Sequence, residues 1–158
     1  MYTIKELEES MPQTGTVEWI GVRTQRKGLV KELTEVEAVE DQGLIEDHYS
    51  GKPGSKRQVT LIQSEHLPVV ATIMKIKAIN PALLRRNIVV SGINLLSLRN
   101  RRFKVGDVAL EGTGDCARCS RMEENLGPGG WNSMRGHGGI TTRVVKGGKI
   151  RQGDRVSL

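Results

Sequence analysis

Short runs of alternating apolar and polar residues, separated by glycine-rich turns, are the feature that most constrains how this chain can fold. The 158 residues include 19 glycines. Runs of roughly four to eight residues with this alternation are typical of strands that bury one face. Many short strands at this spacing predict a mainly β protein, folded as a closed or nearly closed barrel with a few short helices.

The predicted strands cover most of the chain from residue 15 onward. Gly106 and Asp107 have the chemistry of a hairpin turn between two of them. The alternation slips once within residues 29–39, which predicts a bulge in a single strand. The strands are expected at residues 15–22, 29–39, 57–63, 87–91, 103–105, 108–112, 140–145, 149–150 and 155–158.

Two helices are predicted between these strands. Ser64 can cap the first, because apolar residues recur at helical spacing from Leu67 to Met74. Pro81 can occupy the first turn of the second, which is expected to end near Arg85.

Length and charge limit the organisation and the classes of partner. The length suits one domain, and we predict an N-terminal extension over residues 1–14 followed by a single domain over residues 15–158. The formal charge of +6 favours an anionic ligand or partner. Two Trp, two Tyr and one Phe are too scattered to form a base-stacking platform, so nucleic acid is not the expected anion.

No segment has the features of a targeting signal or a membrane span. The N-terminal residues are acidic and polar, without the apolar run that a signal peptide needs. No stretch approaches the ~18 consecutive apolar residues of a membrane helix. We therefore expect a soluble, cytoplasmic protein with no membrane partner.

Cys116 and Cys119 form a Cys-x-x-Cys pair around Arg118, and they are the first candidates for chemistry. A neighbouring cation favours the thiolate form, which ligates metals and transfers sulfur. Two other interpretations stay open: half of a structural zinc site, or two inert thiols that serve as small apolar residues. A thioredoxin-type pair would need a βαβ unit, which the pattern does not show.

Two glycine-rich stretches follow, at residues 127–131 and 136–139, on either side of Arg135. Consecutive glycines allow backbone amides to point at an anion, and Arg135 adds positive charge. His137, within the second stretch, is a candidate hydrogen-bond donor to a ligand. The spacing matches neither a Walker loop nor a dinucleotide fingerprint, so the stretches form either an anion site or ordinary turns.

A set of segments, taken in order, resembles the MOSC domain, the module at the C-terminus of molybdenum cofactor sulfurases that also occurs in stand-alone bacterial proteins. No single segment is decisive, but the ordered set is specific and covers about residues 15–158. The resemblance implies a β-barrel that binds a molybdopterin-type molybdenum cofactor. The matching segments are residues 43–49, 57–62, 85–95, 103–106, 116–119, 135–139 and 148–156.

The resemblance also implies a set of site residues. The family's cysteine ligand to the metal maps best onto Cys116, with Cys119 in reserve, and a thiolate suits a thiophilic metal. Guanidinium groups match the oxygens of the cofactor's phosphate, while amide and carboxylate groups can hydrogen-bond the pterin. The expected cofactor-binding residues are Asp47, Arg57, Arg86, Asn87, Arg118, Arg135 and His137.

One position departs from the family's pattern. Many relatives carry glycine before the aspartate that corresponds to Asp47, and this chain has Glu46 there. We expect the extra carboxylate to alter the loop or to repel an anionic ligand.

Three functions are consistent with the resemblance. The first is the catalytic component of a molybdenum-dependent reductase that acts on small N-hydroxylated compounds. The second is sulfur transfer through a persulfide on Cys116, and the third is binding and delivery of the cofactor without turnover. Because no flavin, haem or iron–sulfur motif is visible, a reductase needs a separate electron-donor protein, and a sulfur carrier needs a sulfur donor.

Overall fold

The computed structural model describes residues 1–49, 51–117 and 119–158. Strands dominate the described chain, with short helices between them. The strands are β1 (Gly15–Arg23), β2 (Val30–Leu33), β3 (Glu35–Val39), β4 (Gly43–Leu44), β5 (Val59–Gln63), β6 (Ile88–Ser91), β7 (Arg102–Val105), β8 (Val108–Asp115), β9 (Ile140–Lys146), β10 (Gly148–Arg151) and β11 (Arg155–Ser157).

The helices are short. The α-helices are α1 (Ile4–Glu9), α2 (His66–Met74), α3 (Arg121–Leu126) and α4 (Gly130–Ser133), and 3₁₀ helices lie at Pro81–Leu84 and Leu95–Leu98. Within the described ranges, no helix is both long and apolar enough to cross a membrane.

Seven of the described strands close a barrel, which confirms the predicted fold class. Their spatial order is β11-β7-β8-β9-β5-β6-β1, and β1 pairs with β11 to complete the circle. Closure satisfies the backbone groups that an open sheet would leave exposed at its edges. The neighbouring pairs are antiparallel except for β5 and β6, which run parallel.

The parallel pair creates a unit that the sequence pattern did not predict. A parallel neighbour requires a crossover connection, and here α2 and the 3₁₀ helix Pro81–Leu84 make it between β5 and β6. The result is a βαβ unit. The cysteines lie elsewhere, after β8, so this unit does not form a thioredoxin-type arrangement with them.

The prediction of one bulged strand over residues 29–39 is wrong. The segment divides at Thr34 into β2, which pairs with β1, and β3, which pairs with β10 in a separate sheet that also contains β4. Leu33 and Val36 both face the barrel core, although their spacing of three breaks the strand alternation. The division lets both side chains pack on the core, Val36 buried and Leu33 partly buried, which one regular strand does not allow.

Two apolar clusters organise the core around β5 and β6. Leu61 and Ile88 point into the barrel, whereas the next residues, Ile62 and Val89, pack outside it. The outer cluster also contains side chains from α2, α3 and the loop after α4. Because these strands are buried on both faces, their sequences read as continuous apolar runs.

The predicted cap of α2 is also corrected. The helix begins at His66, with Glu65 at the N-cap position and no side-chain cap hydrogen bond. Ser64 is held at the end of the preceding strand, where its backbone N–H donates to the carbonyl of Val90 at 2.8 Å. The predicted short helix after Asn80 is present as the 3₁₀ helix Pro81–Leu84, with the Asn80 side chain as its cap.

Gly139 provides a test of how closely β9 approaches β5. Its φ of 81° is left-handed, and a Cβ there would overlap the carbonyl oxygen of Leu61. We expect Gly139→Ala to lower the free energy of unfolding by roughly 2–5 kcal/mol, measured by chemical denaturation. Gly153 is the matched control, because its φ is 89° and no heavy atom lies within 4 Å of a Cβ there. Equal losses in the two variants would contradict the steric explanation.

Candidate functional site

A pocket of about 300 Å³, here called the basic pocket, is lined by positively charged side chains from several segments of the fold. Asp47 is the one acidic residue in its described lining. Because arginine stays protonated at neutral pH, the pocket favours an anionic ligand. The arginines in its lining are Arg23, Arg26, Arg57, Arg85 and Arg86.

Burial and repulsion from neighbouring arginines lower the pKa of two of these residues, Arg23 and Arg86. Burial is the main cause of a lowered pKa at Arg23, with the charge of Arg85 second and that of Asp47 acting in the opposite direction. Burial also lowers the pKa of Arg86, against the opposing effect of Cys116. A bound anion would relieve this repulsion.

Arg86 is the most deeply buried cation of the site, with 2% of its surface exposed. Its Nε donates to the carbonyl oxygen of Gly138 at 2.8 Å, and its Nη1 donates to that of Leu84 at 2.9 Å. Its Nη2 is buried and has no hydrogen-bond partner among the described residues. A buried donor without a partner is costly, so this nitrogen is suited to a ligand oxygen.

Arg85, the residue before Arg86, also has one hydrogen-bonded and one unpartnered guanidinium nitrogen among the described residues. Its Nη1 donates to Sγ of Cys119 at 3.5 Å, while its buried Nε has no partner within the described part of the chain. Its left-handed backbone, with φ of 58°, ends the 3₁₀ helix before β6. Arg85 and Arg86 therefore each have a buried N–H without a hydrogen-bond partner among the described residues.

Asn87 and Asp47 fix one wall of the basic pocket. Asn87 Oδ1 accepts from the backbone N–H of Thr60 at 3.0 Å, and its Nδ2 donates to the Gly21 carbonyl at 3.2 Å and to Asp47 Oδ2 at 3.3 Å. Asp47 Oδ1 accepts from the backbone N–H of Arg23 at 3.0 Å. These contacts connect the start of β6 to β5, to β1 and to the loop after β4.

Glu46 keeps the backbone conformation that glycine favours, with φ of 71°. Its carboxylate lies 3.8 Å from Nζ of Lys31, and Glu46 is not part of the basic pocket's lining. The extra carboxylate therefore adds no charge to that lining.

A second pocket of about 320 Å³, here called the Cys116 pocket, adjoins the first. Cys116 is buried at the end of β8, and its backbone N–H donates to the carbonyl of Gly139 at 2.9 Å. Gly138 lines this pocket and accepts the hydrogen bond from Arg86, so that guanidinium connects the two pockets. The other lining residues are Gln63, His66, Leu95, Leu96, Arg99, Asp115, Ala117, Met134, Gly136 and Gly139.

Two histidines meet beside the Cys116 pocket. The rings of His66 and His137 lie edge to face, with centroids 5.2 Å apart, and His137 Nδ1 is buried without a partner among the described residues. Burial is the main cause of a lowered pKa at His66, followed by the charge of His137, while Glu65 acts in the opposite direction. His66 is therefore mainly neutral at pH 7.

The structure brings some of the predicted cofactor-binding residues together and separates others. Arg135 is exposed and lines neither pocket, and Arg118 lies outside the described residues. His137 is beside the Cys116 pocket, in contact with His66. The basic pocket is lined by Asp47, Arg57, Arg86 and Asn87.

The two cysteines occupy different environments. Cys116 lines its pocket with 4% of its surface exposed, whereas Cys119 is half-buried against the outer apolar cluster and lines neither pocket. In the described ranges, no three His, Cys, Asp or Glu side chains are grouped to hold a metal ion. The zinc interpretation therefore has no ligand set among those residues.

Several residues that line the two pockets were not among the predicted site residues, including Arg23, Arg85 and His66. Arg85 had a usable signal, because it precedes Arg86 and Asn87 in one of the family-like segments. Arg23 had none, because only the pairing of β1 with β6 brings it to the pocket. His66 lies within a segment that was predicted as a helix from the Ser64 cap and the apolar spacing, and neither signal indicates a site residue.

The fold and the two pockets define a β-barrel protein with an arginine-lined pocket and a second pocket that contains a buried cysteine. A family model for the MOSC domain matches residues 46–157, and the chain belongs to this family. The predicted family is thereby confirmed.

Several solved structures share this fold. The YuaD protein from Bacillus subtilis has a TM-score of 0.79 and 20% identity, over 91% of this chain and 95% of its own. YiiM from Geobacillus stearothermophilus has a TM-score of 0.72 and 14% identity, over 91% of this chain and 74% of its own. YiiM from Escherichia coli has a TM-score of 0.70 and 15% identity, over 90% of this chain and 69% of its own. No curated protein sequence matches the chain.

The charges of His137 and Glu65 shift the pKa of His66 in opposite directions, which titration of variants can test. We expect the pKa of His66 to lie below 6.5 in an NMR titration, to rise in His137→Gln and to fall further in Glu65→Gln. Because the folded-state pKa lies below that of the unfolded chain, the free energy of unfolding decreases as the pH falls below about 6.5. Shifts of the same sign in both variants would contradict this account.

Proposed function

We propose that this protein binds a molybdopterin-type molybdenum cofactor and is the catalytic component of a molybdenum-dependent reductase of N-hydroxylated compounds. The observation that carries the proposal is the pair of buried guanidinium N–H groups of Arg85 and Arg86, in the lining of the basic pocket, that have no partner among the described residues. Membership of the MOSC family supports the cofactor, because that family is associated with it.

The residues present fit the chemistry of this cofactor. Its phosphate requires cationic donors, and Arg57 adds an exposed guanidinium to the two buried ones. Its metal is thiophilic, and the sulfur of Cys116 is a suitable soft ligand. Its pterin carries hydrogen-bonding groups, for which Asp47 and Asn87 lie in the lining of the basic pocket.

When bound, the cofactor would supply a metal that accepts an oxygen atom and exchanges two electrons. Arg57, Arg85 and Arg86 would hold its anionic end, and Cys116 would hold the metal from the neighbouring pocket. Reduction of an N-hydroxyl group breaks the N–O bond, consumes two electrons and two protons, and gives an N–H group and water. The electrons come from a separate electron-donor protein.

Burial of Cys116 favours this function over sulfur transfer. A persulfide carrier must present its sulfur to a donor and an acceptor, and Cys116 is only 4% exposed. The Cys116 pocket likewise favours a catalyst over a delivery protein, because cofactor delivery does not need a second pocket beside the metal ligand.

The two cysteines allow a matched test of the metal ligand. We expect Cys116→Ala, produced in a host that makes the cofactor, to lose its molybdenum, because the soft ligand is gone. Cys119→Ala is the control and should keep it, because Cys119 lines neither pocket. The measurement is molybdenum and pterin content per protein. Unchanged molybdenum in Cys116→Ala would refute the ligand assignment.

Arg57 allows a test of the anion site without disturbing the core, because its side chain is exposed. We expect Arg57→Gln to weaken retention of the pterin roughly tenfold or more, since it loses a charged hydrogen bond to phosphate. Arg155→Gln is the control, because Arg155 is exposed on β11 and lines neither pocket. The measurement is pterin released on dialysis over time. Equal release from both variants would mean that Arg57 does not hold the anion.

A further inference from the structure

Cys119 is a thiol that the proposed function does not use. It is free and half-buried, so part of the residue faces solvent. Arg85 Nη1 donates to Sγ of Cys119 at 3.5 Å. A cationic donor next to a partly exposed sulfur is typical of cysteines that react with oxidants as thiolates. The surroundings of Cys119 therefore suit a reactive thiol.

A second thiol, that of Cys116, is close to Cys119. The two cysteines have the Cys-x-x-Cys spacing, at which a disulfide closes a loop of only four residues. Burial is the main cause of the lowered pKa of Arg86, and the charges of Cys116 and Cys119 act in the opposite direction. Because an opposite charge acts on a pKa mainly at short range, both sulfurs lie near this one guanidinium.

Burial distinguishes the two thiols. Cys116 is 4% exposed and is shielded from an oxidant in solution, whereas Cys119 is half-buried. In redox-sensing pairs, the accessible cysteine is oxidised first and a neighbouring cysteine resolves the product into a disulfide. Cys116, Ala117 and Cys119 belong to no helix or strand, so no regular backbone hydrogen bonding opposes closure of that bond.

We propose that Cys119 is a site of reversible oxidation, at which a peroxide forms a sulfenic acid that Cys116 then converts into a Cys116–Cys119 disulfide. In the first step the thiolate of Cys119 attacks hydrogen peroxide and the O–O bond breaks. The sulfur loses two electrons, and the hydroxide that leaves takes up a proton to become water. In the second step the Cys116 sulfur attacks that of Cys119, the S–O bond breaks, and a second water leaves with the proton of Cys116.

The disulfide would remove the proposed metal ligand. A sulfur in a disulfide has no thiolate to offer a thiophilic metal. This consequence rests on the proposed function, because it requires Cys116 to bind the metal, whereas the oxidation itself does not. A dithiol that supplies two electrons and two protons restores both thiols, so the oxidation regulates the same site reversibly.

Treatment of the full chain with hydrogen peroxide tests the disulfide. The chain is produced in a host without the cofactor, its remaining free thiols are alkylated after treatment, and its non-reduced peptides are analysed by mass spectrometry. We expect loss of both thiols, a Cys116–Cys119 cross-link within one chain, and recovery of both thiols with dithiothreitol. Thiols that persist, or cross-links only between chains, would overturn the proposal.

Single serine variants test the order of the two steps. We expect Cys116→Ser to keep a sulfenic acid on Cys119 that dimedone traps, because the resolving thiol is gone. Cys119→Ser is the matched variant, and its remaining thiol should react with peroxide roughly tenfold more slowly or less, because Cys116 is buried. Brief treatment of the unsubstituted chain with dimedone present identifies the first site without a substitution. Equal labelling of the two cysteines would overturn the assignment of Cys119 as that site.

Molybdenum content tests the consequence for the site. From a host that makes the cofactor and is exposed to hydrogen peroxide, we expect the unsubstituted chain to hold less molybdenum than Cys119→Ser, in which Cys116 has no partner for a disulfide. Equal contents would overturn the regulation. Cys116→Ala from unstressed cells judges the proposed function separately. A disulfide in the first experiment with unchanged molybdenum in Cys116→Ala would refute the metal ligand and leave the oxidation site standing.

Discussion

The buried guanidinium of Arg86 is the interaction on which the arrangement of the site depends. It joins the segment before β6 to the glycine-rich segment before β9, through the carbonyl oxygens of Leu84 and Gly138. A Cβ at Gly138 would lie 3.3 Å from Nη2 of Arg86 and 2.8 Å from the carbonyl oxygen of Cys116. The absence of a side chain at Gly138 thus lets the cation and the cysteine segment approach each other, and brings the two pockets together.

Local patterns were sufficient to predict the barrel but not how it closes. Alternation at strands such as β7 and β8 indicates which side chains face inward, because that information is carried by neighbouring residues. Closure by β11 on β1, and the parallel pairing of β5 with β6, depend on contacts between residues far apart in the chain. The division at Thr34 was missed for the same reason, since only the separate partners of β2 and β3 distinguish two strands from one bulged strand.

The candidate site was predictable where a family-like segment also carries the chemistry. Arg86, Asn87 and Cys116 are of this kind, and each lines one of the two pockets. Arg135 shows the limit of this reasoning, because its glycine-rich surroundings suggested an anion site and its side chain is exposed away from both pockets. Its neighbour Met134 is the one that turns inward, to the outer apolar cluster. Glycine content indicates that backbone can approach a ligand, but not which adjacent side chain does.

The two pockets differ in charge, although the guanidinium of Arg86 connects them. In the basic pocket, burial and repulsion between arginines make the empty state costly, and an anion removes that cost on binding. Binding to the folded state alone also stabilises the fold by mass action. In the Cys116 pocket, the Arg99–Asp115 pair leaves no such excess charge to neutralise. An anionic ligand would therefore gain more from the basic pocket than from the Cys116 pocket.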